Sequence, residues 1–235
     1  MKNSLFILML FLLSCSPEKK EQGSAAEMAV PIVDEEFDSI RINNVTYKLD
    51  PITAAEFFSV KAERGEISDQ ELIDDSANVK RDGNKITFHL ENGKDTMIVN
   101  DSSEEDLAYF SYEKDMKDIG YWLLFVSYYE GSSFLVISKA DGAQTYMWGY
   151  PLVSPDKKHV LSASFDLEAA FCENGIQLFT LSDVRLTHNF DKEIPAWGPS
   201  DVRWKDNSSI YIEQSYRKET DPEFSKKYKR MKVIQ

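Results

Sequence analysis

Tight-turn signals punctuate the short apolar runs of this chain, and they leave little room for anything but antiparallel sheets. Asn92-Gly93 separates residues 85–91 from residues 94–100. A two-residue turn of this composition matches the twist of the strands it joins. It sets Glu91 opposite Lys94, Phe88 opposite Met97 and Ile86 opposite Val99, with opposite charges at the tip and apolar pairs along one face, a pattern that specifies register. Arg81-Asp82-Gly83-Asn84 adds a turn before it, so residues 78–100 predict a three-stranded meander. Residues 121–129 are almost unbroken apolar sequence and read as a central strand covered on both faces. Further strands are expected at 133–138, 145–148, 160–164, 177–181, 184–189 and 210–214, with Asp141-Gly142 and Asn174-Gly175 as turn signals. Evenly spaced short strands with tight turns predict a mainly all-β domain of antiparallel meander sheets, propeller-blade-like or sandwich.

One short N-terminal helix is expected over about 52–64. Thr53 and Glu56 have capping-box spacing, Pro51 marks the entry and Gly65 the stop. The acidic stretch 66–75 reads as loop or a weak second turn. Residues 39–235 then make one β-rich domain whose strands begin near 78. Hydrophobic residues at 42% and aromatic residues at 12% of the chain suit a packed core. The formal charge of −13 argues against a nucleic-acid partner, because phosphate recognition needs a cationic face.

The start of the chain has a different grammar. Lys2 precedes an unbroken apolar run over 5–13, then Ser14 and Cys15. That run is far shorter than the ~20 residues of a spanning helix, and its parts are those of a secretory signal. Leu12, Ser14 and Cys15 stand where the bacterial lipoprotein family carries a branched apolar residue, a small residue and an obligatory cysteine, and the segment resembles that family's signal and lipobox. The resemblance implies removal of residues 1–14 and a diacylglycerol thioether plus an amide-linked acyl chain on Cys15. It implies an exported protein held to a bacterial membrane by lipid, with its domain in the periplasm or at the cell surface. Two or three acyl chains give a stable anchor. Ser16 replaces the aspartate that retains such proteins at the inner membrane in some enterobacterial systems, which leans toward the outer membrane. Residues 15–38 read as a lipidated flexible tether. Lipidation uses one of the two cysteines and leaves Cys172 without an intramolecular disulfide.

A faint repeat runs through the domain. Pro151-Leu152-Val153-Ser154-Pro155-Asp156-Lys157-Lys158 resembles the turn in blades of periplasmic Tol-type, WD-like β-propellers, with Lys157 where glycine is usual. Asp206 with Ile210, and Asp82 with Ile86, share the skeleton of an aspartate followed four places on by an apolar residue. Asp156 and Asp206 lie one blade length apart, at ~40–50 residues; Asp82 and Asp156 do not.

No Gly-x-Ser-x-Gly, His-Glu-x-x-His, P-loop or dinucleotide fingerprint is present, and no cofactor is implied. His89, His159 and His188 stand far apart on separate strands, unlike paired zinc ligands. Cys172 has no neighbouring cation to activate it. Asp166, Glu168 and Glu173 form an acidic cluster that reads as a solvated loop, a calcium site or an acid–base pair. Trp122, Tyr128, Tyr129, Tyr146 and Trp148 belong to a dense aromatic block; core packing accounts for most of it, and outward members would form a ligand surface. Lys226, Lys227, Lys229, Arg230 and Lys232 crowd the C-terminus as a protected edge strand, a tail or a contact for an acidic partner or bilayer. Together these features suggest a non-catalytic binding or structural lipoprotein of the cell envelope, partnered by the membrane and by an envelope protein or glycan. The competing class is a carboxylate-dependent hydrolase of envelope material.

Overall fold

The computed structural model describes residues 35–63, 77–100, 107–183, 185–218 and 223–234. A helical turn, α1 (Glu35–Asp38), leads into a hairpin of β1 (Ser39–Ile42) and β2 (Val45–Pro51), followed by a second turn, α2 (Ala54–Phe58). Four antiparallel sheets follow in chain order. The first holds β3 (Val79–Asp82), β4 (Lys85–His89) and β5 (Asp95–Val99). The second holds β6 (Ala108–Met116), β7 (Tyr121–Tyr128), β8 (Ser132–Ser138) and β9 (Gln144–Met147). The third holds β10 (Leu152–Val153), β11 (His159–Ser164), β12 (Gly175–Ser182) and β13 (Arg185–Glu193). The fourth runs β14 (Gly198–Trp204), β15 (Ser209–Tyr216) and β16 (Ser225–Lys232), and continues from β16 into β2 and β1. The fold is therefore mainly β, built of meanders, as the turns predict.

The fourth sheet corrects two expectations. Strands begin at Ser39 rather than near 78, and residues 35–38 belong to the domain rather than to a tether. Ile40, Ile42 and Leu49 are buried, and Leu49 pairs with Met231 of β16. Asn43 and Asn44 both take positive φ, 48° and 66°, the turn geometry that two-residue hairpins demand. Asp38 pairs with the buried Lys229, and the Phe37 carbonyl accepts from Gln214 Nε2 at 3.1 Å, which ties the start of the domain to its end. The C-terminal cations thus lie on a central strand, not an edge.

The helix is shorter than expected. Thr53 caps it, its Oγ1 accepting from Glu56 N at 3.1 Å, but only residues 54–58 are helical. Ser59 Oγ donates to the Glu56 carbonyl at 2.6 Å, and Arg203 Nη1 takes the Val60 carbonyl at 2.5 Å, drawing the chain off the helical path. Gly65 and the acidic stretch lie outside the described residues. α2 covers the outer face of the fourth sheet: Phe57 is fully buried against Tyr228, ring centroids 5.0 Å apart. Tyr211 donates to Glu56 at 2.8 Å, and burial together with Glu56 pushes its phenol up to about 12.

The β4–β5 hairpin is registered one residue from expectation. Leu90 N bonds to the Lys94 carbonyl and Gly93 N to the Leu90 carbonyl, closing a three-residue loop on Gly93 at φ 76°. Ile86 consequently faces Ile98 and Phe88 faces Thr96. Since a one-residue slip moves side chains to the other face, Ile98 enters the core while Met97 and Val99 stay 55% and 53% exposed. Asn174-Gly175 is not a tight turn either: Gly175 opens β12, and Asn174 Nδ2 donates to the Ile194 and Trp197 carbonyls.

The aspartate repeat is structural. Asp82, Asp156 and Asp206 each mark the turn between the first and second strands of a sheet. Asp118, followed four places on by Trp122, holds that position in the second sheet, so the gap between Asp82 and Asp156 is two sheets long. Lys157 takes φ 59° where Gly83 takes 60°. The first sheet packs Ile86, Phe88 and Ile98 on Trp122, Leu124 and Leu135 of the second. A larger core joins the second, third and fourth sheets through residues such as Leu123, Leu178, Trp197 and Ile212. The far face of the first sheet carries the exposed Met97 and Val99, so the stack of blade-like sheets does not close on that side.

Candidate functional site

Three sheets converge on a cleft of about 820 Å³. The second contributes Phe125 and Phe134, with Trp148 and Tyr150 just past β9; the end of β11 and the residues after it contribute 163–166; the fourth, Ser200, Asp201 and Glu213; Phe58 of α2 and Ala62 beyond it complete the lining. Backbone clamps place the aromatic wall. Trp148 N donates to Gln177 Oε1 at 2.8 Å, and Ser162 Oγ bridges the Gly149 N–H and carbonyl at 2.8 and 3.0 Å. A Cβ on Gly149 would sit 1.8 Å from the Ala163 carbonyl oxygen, so only glycine lets the second sheet come this close to the third. Phe134 stands edge-on to Tyr150 at 5.6 Å, and Lys114 donates to the Tyr150 hydroxyl.

The cleft's acids are committed to neighbours. Glu213 is 6% exposed; its Oε1 takes Lys226 Nζ at 2.7 Å and Ser200 Oγ at 2.8 Å, and Ser215 Oγ donates to Ser200 Oγ at 2.7 Å. Burial pushes the Glu213 carboxyl up, but Lys226, Ser200 and Tyr228 together hold it below the ordinary glutamate value. The same contact raises Lys226. Asp201 Oδ2 accepts from Arg203 Nη2 at 2.7 Å and Nε at 3.1 Å, and that guanidinium lies over Phe57 at 4.5 Å. Asp166 accepts four backbone N–H groups, from Ala169, Ala170, Phe171 and Cys172, at 2.8–3.0 Å. The Cys172 N–H leads the set that holds its carboxyl below the ordinary aspartate value.

The residues singled out in the sequence separate. Trp122 is 2% exposed, packed on Phe88 at 5.2 Å, and belongs to the core rather than to a ligand surface. Tyr128 and Tyr146 share its face of the second sheet and are exposed, with the Tyr128 hydroxyl 2.8 Å from Ser133 Oγ. Tyr129 is exposed on the turn after β7. Of the five aromatic candidates, Trp148 alone lines the cleft. Each member of the acidic cluster has its own surroundings: Asp166 is bonded by its own loop, Glu168 pairs with Arg217, and Glu173 is exposed and borders a second, shallower pocket together with Asp166. Among the described residues, no group of three or more His, Cys, Asp or Glu is placed to hold a metal ion. His89 meets Asp95 at 2.8 Å and His188 lies 3.8 Å from Asp191, both exposed. Cys172 is a free thiol whose Sγ accepts from Ser132 N at 3.2 Å. Lys227 lies over Phe37 at 4.3 Å and Arg230 pairs with Asp50 at 3.2 Å, so most of the C-terminal cations serve the domain itself.

Phe125, Phe134 and Tyr150, members of the same dense aromatic block, also line the cleft, whereas Phe58, Phe165, Ser200 and Glu213 are cleft residues that sequence reasoning passed over. A signal marks Glu213 alone: it is a carboxylate that follows the apolar run Ile210-Tyr211-Ile212, where a buried charge requires partners. No family model matches the chain, and no curated protein or solved structure is significantly similar to it.

Proposed function

We propose that this chain is an exported, lipid-anchored binding protein of the bacterial cell envelope, without catalysis of its own. The observation that supports it is the pairing of an aromatic-walled cleft with carboxylates that are already engaged. Asp166 is spent on four backbone N–H groups, Asp201 on Arg203, and Glu213 on Lys226 and Ser200. A general acid and base need free proton-exchanging groups within reach of a substrate; a binding site needs concave apolar walls with a few fixed polar groups. Asp166 is bonded by backbone N–H groups and Glu168 by Arg217, which weighs against the pair on which a hydrolase reading rests.

The anchor is carried by residues 5–15, and no described helix is long and apolar enough to cross a membrane. Replacing Cys15 by Ser and fractionating the cells tests it. The expected result is release of the protein from the membrane fraction, with a change in the size of the mature chain. A Cys15→Ser variant that stays in the membrane at its original size overturns the lipoprotein reading.

A further inference from the structure

We infer that the three-sheet cleft binds a short neutral oligosaccharide, an inference that deepens the binding reading by naming its ligand class. Its volume of about 820 Å³ lies within the ~300–1,000 Å³ of small-molecule sites. Charge narrows the ligand first. A chain of net charge −13 repels anions at a distance. The engaged state of Asp201 and Glu213 leaves no unpaired carboxylate to offer a cation at that wall. An acyl chain fits poorly, because the hydroxyls of Ser132, Ser164 and Ser200 and the Glu213–Lys226 pair interrupt the apolar lining, and hydrocarbon would strip water from them without replacing its hydrogen bonds.

A sugar ring satisfies both kinds of wall. Its C–H face packs on an aromatic ring, and its hydroxyls, each donor and acceptor, bond in the ring plane. Trp148, half-buried, and Phe58, 57% exposed, both line the cleft, one from the second sheet's end and one from α2. In the same lining Glu213 and Lys226, 2.7 Å apart, set a charged acceptor beside a charged donor. Charge-assisted hydrogen bonds of this kind are about twice as strong as neutral ones, and the pair stays neutral as a unit, matching an uncharged polyhydroxylated ligand.

The full chain, purified in detergent, is titrated with cellotetraose, chitotetraose and maltotetraose, and in parallel with tetralysine and oleate. Trp122, Trp197 and Trp204 are at most 5% exposed, so occupancy of the cleft is read from Trp148 emission, with calorimetry giving affinity. We expect at least one tetrasaccharide to bind and to shift the emission. Trp148→Ala is expected to weaken binding by tenfold or more by calorimetry, Phe58→Ala and Glu213→Gln by several-fold, and Met97→Ser on the first sheet not at all. Phe58→Ala serves if Trp148→Ala does not fold. Failure of all three sugars at millimolar concentration, or affinity unchanged in both aromatic variants, overturns the inference. Saturable binding of tetralysine or oleate alone overturns the sugar but keeps the binding reading. Loss of anchoring in the Cys15→Ser experiment leaves the titration result standing.

Discussion

The first and fourth sheets stand at the two ends of the stack and are held by different means. The first is local: three consecutive strands, two short turns, one face on the second sheet and the other carrying Met97 and Val99 in solvent. The fourth is assembled from both ends of the domain, with β2 paired to β16. Its inner face lies in the large core and its outer face lies under α2. The fourth, covered over both faces, holds a carboxylate at 6% exposure with an ammonium and a hydroxyl bonded to one of its oxygens. Doubly covered sheet is what a fixed polar network requires, since loose partners leave a buried charge uncompensated.

Matched truncations give the largest contrast. Leu49→Ala removes a fully buried side chain from the seam between β2 and β16, and is expected to cost about 3 kcal/mol, within the range for buried leucine. Met97→Ala on the exposed face of the first sheet is expected to change stability by less than about 0.5 kcal/mol. Urea unfolding of both variants measures the pair. Equal effects would mean that the N-terminal hairpin is no more integral to the fold than the open face.

The ion pairs offer a second, smaller contrast. Glu213→Gln leaves Lys226 and Ser200 with a weaker acceptor, and is expected to cost about 1–2 kcal/mol at neutral pH. His89→Gln, which breaks an exposed contact with Asp95, is expected to fall within about 0.5 kcal/mol of the parent. The folded Glu213 carboxyl lies below its ordinary value of 4.5. Its stabilisation is therefore fully present above that value and is lost as pH falls through the lower folded value. Acid unfolding should consequently be shallower in Glu213→Gln than in the parent. An acid limb unchanged by the substitution would show that the network contributes nothing to the fourth sheet.

The same two sheets explain what the sequence disclosed. Turn chemistry at Gly83 and Gly93 and alternation in β4 marked the first sheet, because its contacts are short-range. Even there the loop is one residue longer than the turn signal predicts, since Asn92-Gly93 suits both a two-residue turn and a three-residue loop closed by glycine. The fourth sheet was half hidden. The β2 strand mixes Lys48 and Asp50 with Leu49, and its partner lies at the other end of the chain, where pattern alone cannot pair it. The candidate site was less legible still. The acidic cluster at Asp166 was visible but is a loop organiser, and the dense aromatics of β7 went to the core, as with Trp122. The cleft draws scattered residues from three sheets, and of the aromatic and acidic candidates only Trp148 and Asp166 line it, beside other members of the aromatic block such as Phe134 and Tyr150.

The equivalent turns of the first and third sheets carry the finest comparison. Asp82-Gly83 and Asp156-Lys157 take the same left-handed conformation, φ 60° and 59°, with a residue that suits it in one and a lysine in the other. Left-handed backbone costs a side-chain-bearing residue about 1–2 kcal/mol, and nothing lies within 4 Å of a Cβ built on Gly83, so sterics there are purely local. Lys157→Gly relieves that cost. Against it stand the greater freedom of glycine in the unfolded chain, about 0.4–1 kcal/mol, and the exposed ion pair of Lys157 with Asp118 at 3.0 Å, worth about 0–1 kcal/mol. The expected net gain is about 0.5 kcal/mol, and Gly83→Lys is expected to lose about 1 kcal/mol, both read from thermal unfolding. A loss on Lys157→Gly would mean that the contact with Asp118, which links the first turns of the second and third sheets, outweighs the backbone strain. In that case the lysine at the glycine position of the repeat is a tie between sheets rather than a tolerated misfit.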